Sequence, residues 1–73
     1  MRNAEKQTVL ILQYMDDFGS ITPVEAMIDL GVMRLAARIA DLRRSGVQIV
    51  SEMVNGVNRY GKPVHYARYR RND

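Results

Sequence analysis

The run from Ile21 to Gly46, ITPVEAMIDLGVMRLAARIADLRRSG, constrains this chain more than any other stretch. Thr22-Pro23-Val24-Glu25 is a helix-start signal. The Thr22 hydroxyl can accept from the Glu25 amide, and the Glu25 carboxylate can return a bond to Thr22. Pro23 sits in the first turn, where its missing N–H costs nothing. A short helix over 23–29 is expected, with Ala26, Met27 and Leu30 supplying its buried surface and Gly31 permitting a tight turn. A second helix follows over 33–45, closed by Gly46 as a left-handed cap residue. Leu35, Ile39 and Leu42 form its inward stripe, flanked by Ala36 and Ala40, whose small side chains let the shorter helix approach closely. The opposite face holds Arg34, Ala37, Arg38, Asp41 and Ser45, with Arg44 beside it. Arg43 falls nearer the apolar side, where its stem is expected to snorkel.

Upstream, Asn3 is a fitting N-cap for a helix over 3–18 that ends at Gly19. Ala4, Ile11, Met15 and Phe18 share a narrow arc of its wheel, with Tyr14 and Leu10 at the edge, and that arc is the expected core face. Val9 and Leu12 lie off it. They either cover a neighbouring strand or meet a second copy or another protein. Asp16 and Asp17 stand near the helix C-terminus, where the macrodipole disfavours carboxylates. Adjacent on a helix, their side chains diverge by about 100°, so they form no catalytic pair. Gly19 to Ile21 makes an extended link, one or two residues of strand at most.

From Val47 the apolar period changes. Residues 47–54 and 64–70 are rich in β-branched and aromatic types and read as two strands, with Tyr66 and Tyr69 as sheet and core residues. Asn55-Gly56 could form a two-residue hairpin. A loop over the whole of 55–63 matches the strand lengths better and places Pro63 at a strand entry that needs no N–H. The last residues, Arg70 to Asp73, are expected to fray.

Seventy-three residues make one domain, 1–73, that hides only about 60% of its unfolded surface. There is no cysteine, so neither disulfides nor a thiolate zinc site can supplement the core. The polar start MRNAEKQ and a longest apolar run of only Val9 to Leu12 give no sign of secretion or a membrane span, and a cytoplasmic location is expected. Charge is strongly asymmetric. Residues 1–33 carry two Lys/Arg against five Asp/Glu, net −3, whereas residues 34–73 carry nine against three, net +6. Such polarity draws polyanions to one side of a small domain.

Three helices followed by a two-stranded ribbon with a basic tip make a mainly α fold with a small β-hairpin (α+β), a three-helix winged helix-turn-helix. The segments GSITPVEA, LG and RLAARIADLR, with the downstream strand HYARYR, resemble a family of small winged helix-turn-helix proteins encoded by phages and prophages. The resemblance covers about Gly19 to Arg71, and RLAARIADLRRSG at 34–46 is its most specific part. It implies the winged fold and DNA binding. The GKP before the final strand is similar to that family's wing.

In such a fold the 33–45 helix enters the major groove. Arg34 and Arg38 can each donate two hydrogen bonds to a guanine. Ala37 can touch a thymine methyl or simply allow close approach, and Met33 either does likewise or is buried. Arg44 suits a phosphate. Asp41 either orients Arg38 or Arg44 or accepts from a cytosine amino group. Ser20, Thr22 and the amide end of the 23–29 helix are expected phosphate contacts. At the wing, Arg59 and Lys62 would meet phosphates or the minor groove, with Tyr60 on a sugar or on the wing itself. The facing of Arg68, Arg70 and Arg71 is open.

The expected partner is double-stranded DNA, bound by a small phage-type transcriptional regulator or an excisionase-like factor, and a homodimer would tighten it. The alternative is a winged helix serving as a protein-interaction module for a host or phage protein, with Val9 and Leu12 as the contact. An enzyme is not expected: the chain has no phosphate-cradling glycine loop and no nucleophile paired with a base. His65, the one histidine, has no cysteine or acidic cluster near it, and no metal or cofactor is expected.

Overall fold

The computed structural model describes residues 3–72, with side chains from Lys6 onward. Three helices, α1 (Asn3–Phe18), α2 (Pro23–Leu30) and α3 (Leu35–Arg44), precede two antiparallel strands, β1 (Ile49–Val57) and β2 (Pro63–Arg71). The winged helix-turn-helix architecture expected from the apolar periods is the one observed. The N-cap role of Asn3 and the core role of Ala4 lie outside the described side chains.

One apolar cluster fastens these elements together. Ile11 and Met15 come from α1, Ala26 from α2, Leu35, Ile39 and Leu42 from α3, and Ile49 from β1, with Ile21 and Val32 from the two connections. The spacing of Leu35, Ile39 and Leu42 is one helical stripe, which is why α3 buries one face and presents the other. Leu12, Leu30, Val47 and Tyr69 pack around the cluster half-buried.

Local chemistry sets the helix ends. The capping box at α2 is complete: the Glu25 amide donates to Thr22 Oγ1 at 3.3 Å, and the Thr22 amide donates to Glu25 Oε1 at 2.9 Å. Gly31 ends α2 in the left-handed region at φ 71°, which a side chain would resist. Val32 then drops into the core and leaves Met33 and Arg34 to cross the gap. The third helix therefore starts at Leu35 and not at Met33, with Arg34 as its non-helical N-cap. It ends at Arg44 and not at Ser45. Beyond it the Gly46 amide donates to the Arg43 carbonyl and the Val47 amide to the Leu42 carbonyl, both at 3.1 Å, a Schellman closure.

Several side chains depart from expectation. Phe18 is 71% exposed because α1 runs past the edge of the core before the chain turns. Met27 is 43% exposed, and Ala26 and Leu30 alone carry the inward face of α2. Ala36 is exposed. Arg43 does not snorkel: its Nε and Nη2 donate to the Ile49 carbonyl at 3.2 and 2.8 Å, clamping the start of β1 to α3.

The ribbon is longer than the sequence suggested. It spans 49–57 and 63–71, with Ile49 opposite Arg71 and Val57 opposite Pro63. Asn55 and Gly56 are strand residues, so the 55–63 loop shrinks to a tip. There the Gly61 amide donates to the Asn58 carbonyl at 3.0 Å and the Asn58 amide to the Lys62 carbonyl at 2.9 Å. Asn58 Oδ1 accepts from the Tyr60 and Lys62 amides, and Gly61 takes φ 77°. This is the three-residue hairpin plan, a turn followed by a left-handed glycine. The C-terminal end is not frayed through Asn72: Arg70 and Arg71 pair in β2, and the Asn72 amide donates to the Gln48 carbonyl at 2.9 Å. Ile21 forms the expected minimal strand, exchanging two backbone bonds with Tyr69 at 2.8 and 2.9 Å.

Arg43→Met is expected to lower the unfolding free energy by roughly 1–3 kcal/mol, because a charged donor leaves a half-buried carbonyl. Ile39→Ala should cost about 2–5 kcal/mol. Urea unfolding followed by circular dichroism measures both, and unchanged stability of Arg43→Met would show that the clamp contributes nothing.

Candidate nucleic-acid interface

The burial of Leu35, Ile39 and Leu42 turns Ala37, Arg38, Asp41 and Arg44 toward the outside of α3. Asp41 stands between the two arginines. Its Oδ2 lies 3.0 Å from Arg38 Nε, and its Oδ1 pairs with Arg44 Nη2. The Arg38 side chain is 20% exposed, and its Nε–H is buried without an aligned acceptor, so the contact with Asp41 is an ion pair more than a hydrogen bond. One carboxylate thus offsets part of two guanidinium charges. Arg44 is well exposed, where such a pair is worth little.

Arg34 occupies a different situation. As the N-cap of α3 it makes no side-chain capping bond, and no acid pairs with it among the described residues. An N-cap normally supplies an oxygen to the free amides, and the helix dipole disfavours a cation there. Its side chain supplies no cap to the helix. Met33 beside it is exposed, as are Val24 and Ile28, one turn apart on the outer face of α2. Those two were not singled out from the sequence. Their i, i+4 spacing, off the Ala26–Leu30 line, is the signal that could have found them.

The Thr22 amide donates to Glu25 and the Thr22 hydroxyl oxygen accepts from the Glu25 amide, so the hydroxyl hydrogen is what Thr22 can offer an outside acceptor, with the half-buried Ser20 two residues before it. At the wing tip Arg59, Tyr60 and Lys62 are all exposed. Tyr60 is 83% exposed, so it does not pack on the wing itself. Of the other strand cations, Arg68 pairs with Glu52 at 3.0 Å across the ribbon and Arg71 reaches Asp16 of α1 at 3.5 Å. The Arg71 contact places the Val9–Leu12 side of α1 beside the base of β2. Leu12 packs against the core there and Val9 is exposed.

His65 Nδ1 lies 2.6 Å from Asn55 Oδ1 on the neighbouring strand. Among the described residues no group of three or more His, Cys, Asp or Glu could hold a metal, and no helix is long and apolar enough to cross a membrane. Arg43 is engaged by the Ile49 carbonyl, so the cations of the basic half with neither an acidic partner nor such a clamp, among the described residues, are Arg34, Arg59, Lys62 and Arg70. They sit at the start of α3, at the wing tip and on β2.

Neither a curated protein nor a solved structure gives a significant match to the chain. A family model described as a winged helix-turn-helix domain matches residues 6–72, from the first turns of α1 to the residue after β2. With nearly its whole length covered, and the helices and ribbon arranged as described, the chain belongs to the winged helix-turn-helix domain family, a DNA-binding fold.

Proposed function

We propose that this protein reads double-stranded DNA by sequence, laying α3 in the major groove and its wing along the backbone or minor groove. The role that fits is a small phage-type transcriptional regulator or an excisionase-like factor in the cytoplasm. The observation that supports it most is Arg34. A cation without a capping bond, set at the helix end that repels it, is explained by a ligand that is itself an anion with guanine edges within reach.

Around Arg34 the remaining roles follow. Arg38, partly held by Asp41, is oriented for a bidentate contact with a guanine, and Asp41 serves as its positioning residue. Ala37 leaves room for the groove wall or a thymine methyl. Arg44, Ser20 and Thr22 take phosphates, as do Arg59 and Lys62 at the tip, where exposed Tyr60 can lie on a sugar. A monomer reading one half-site binds weakly, so a homodimer or cooperative neighbours would be needed for tight occupancy. Footprints over a promoter would mark a regulator; footprints beside a recombination site with bent DNA would mark the excisionase-like role.

Arg34→Ala with Arg38→Ala should weaken binding to a selected site by on the order of tenfold or more, since each good guanine pair is worth about 1–3 kcal/mol. Fluorescence anisotropy measures it, and an unchanged dissociation constant would sink the assignment of α3. Arg59→Ala with Lys62→Ala should instead weaken all duplexes alike and make the slope of log K against log salt shallower by about 2, from a starting slope near −4 to −5. Asp41→Asn should strengthen binding to random duplex while narrowing the ratio of specific to random affinity. If that ratio holds or widens, Asp41 has no positioning role.

A further inference from the structure

Away from the basic elements, α1 and α2 enclose an open groove of about 480 Å³, within the roughly 300–1,000 Å³ range of ligand clefts. Leu10, Tyr14, Phe18 and Leu30 supply its apolar surface, and Asp17 and Asp29 stand on its rim. The Tyr14 and Phe18 rings are 4.6 Å apart, and the Tyr14 hydroxyl donates to Asp29 Oδ2 at 2.6 Å.

Two facts about this groove point to what covers it. First, it lies where α1 and α2 both end, at Phe18 and Leu30, and neither helix has a basic residue in its last turn. The negative ends of two helix dipoles and two carboxylates therefore meet on one apolar surface, an arrangement that costs stability in the isolated domain. Second, the two rim carboxylates, Asp17 and Asp29, have no cation paired with them among the described residues. The Tyr14 phenol is pushed up to about 12, chiefly by its bond to Asp29, then by desolvation and by the charges of Glu25 and Asp29. A cation brought to the rim would relieve both.

We infer that the α1–α2 groove is a docking surface for a segment of a partner protein that presents an apolar anchor flanked by lysine or arginine. Phe18, exposed at the helix end, and Leu10 take the anchor, while Asp17 and Asp29 take the flanking cations. An open groove suits a stretch of chain better than an enclosed small molecule. None of these residues belongs to α3 or the wing, so the partner and DNA can be held at the same time. This surface is on the Leu10–Phe18 side of α1, apart from the Val9–Leu12 side.

The test uses the full chain, isotope-labelled, and three synthetic amphipathic helical peptides. One carries leucines on one face with lysine flanks. The second exchanges the lysines for glutamates, and the third exchanges the leucines for serines. Nuclear magnetic resonance should show saturable shifts of Leu10, Tyr14, Phe18 and Leu30 with the first peptide only, the others binding about tenfold more weakly or not at all. Phe18→Ser should remove those shifts while DNA binding stays at the parent level. Asp17→Lys should also weaken the peptide, and should raise Tm by a few degrees as the carboxylate leaves the helix end. No shifts at any peptide concentration, equal binding of the lysine and glutamate peptides, or equal binding of the leucine-free peptide would each overturn the inference. So would shifts in the same residues that appear on concentrating the protein alone, which would identify a second copy as the occupant. A lower Tm for Asp17→Lys would remove the electrostatic basis.

Discussion

The exchange of two backbone hydrogen bonds between Ile21 and Tyr69 is the contact on which the rest of this domain depends. It joins β2 to the link that starts the helix-turn-helix, forty-eight positions apart in sequence. The Ile21 side chain is fully buried at the same point, so one residue supplies both a sheet edge and a core anchor. Thr22 follows at once with the capping box, which starts α2 from a fixed backbone. On the other side of the sheet, Arg43 holds the Ile49 carbonyl to α3. The ribbon is thereby tied to α3 directly and to α2 through the link that precedes it.

How much could be read from the sequence follows from the range of each interaction. The capping box at Thr22 and Glu25, the turn at Gly31 and the closure at Gly46 involve partners within five residues, and each was legible. The ribbon differs from its expected bounds because strand-length matching and the Pro63 entry point to a loop over 55–63, whereas the strands run on to Val57 and from Pro63. Gly56 instead lies opposite Val64, close under the Tyr66 ring, where an added Cβ would stand 3.4 Å from Tyr66. That fit depends on a residue ten positions away. The turn signal that prevailed was Asn58 with Gly61, a side-chain acceptor followed at the right distance by a left-handed position. Phe18 was misplaced because a helical wheel gives direction and not where the core ends.

The candidate site shows the same division. The outward residues of α3 were identified from periodicity, but their pairing was not. Wheel geometry allows Asp41 to meet either arginine, and only the folded side chains show it meeting both. Arg34 looked like the first turn of a helix and is instead its N-cap. Its charge opposes the dipole of α3, as those of Asp17 and Asp29 oppose the dipoles of α1 and α2. The local stability rule is thus broken by a cation at one helix start and by anions at two helix ends.

The ribbon beyond its two clamps has a mechanical consequence. Met53, Asn55, Val57, Pro63 and His65 share one face and are all exposed, so no core backs the outer half of the wing. At about 3.3 Å per residue, the tip stands roughly 26 Å from Ile49, and a tilt of about 10° at the base would swing it some 4–5 Å. In a cantilever of that length a small change of angle at the clamped base is magnified at the tip, so the placing of Arg59, Tyr60 and Lys62 rests on the two clamps at the root.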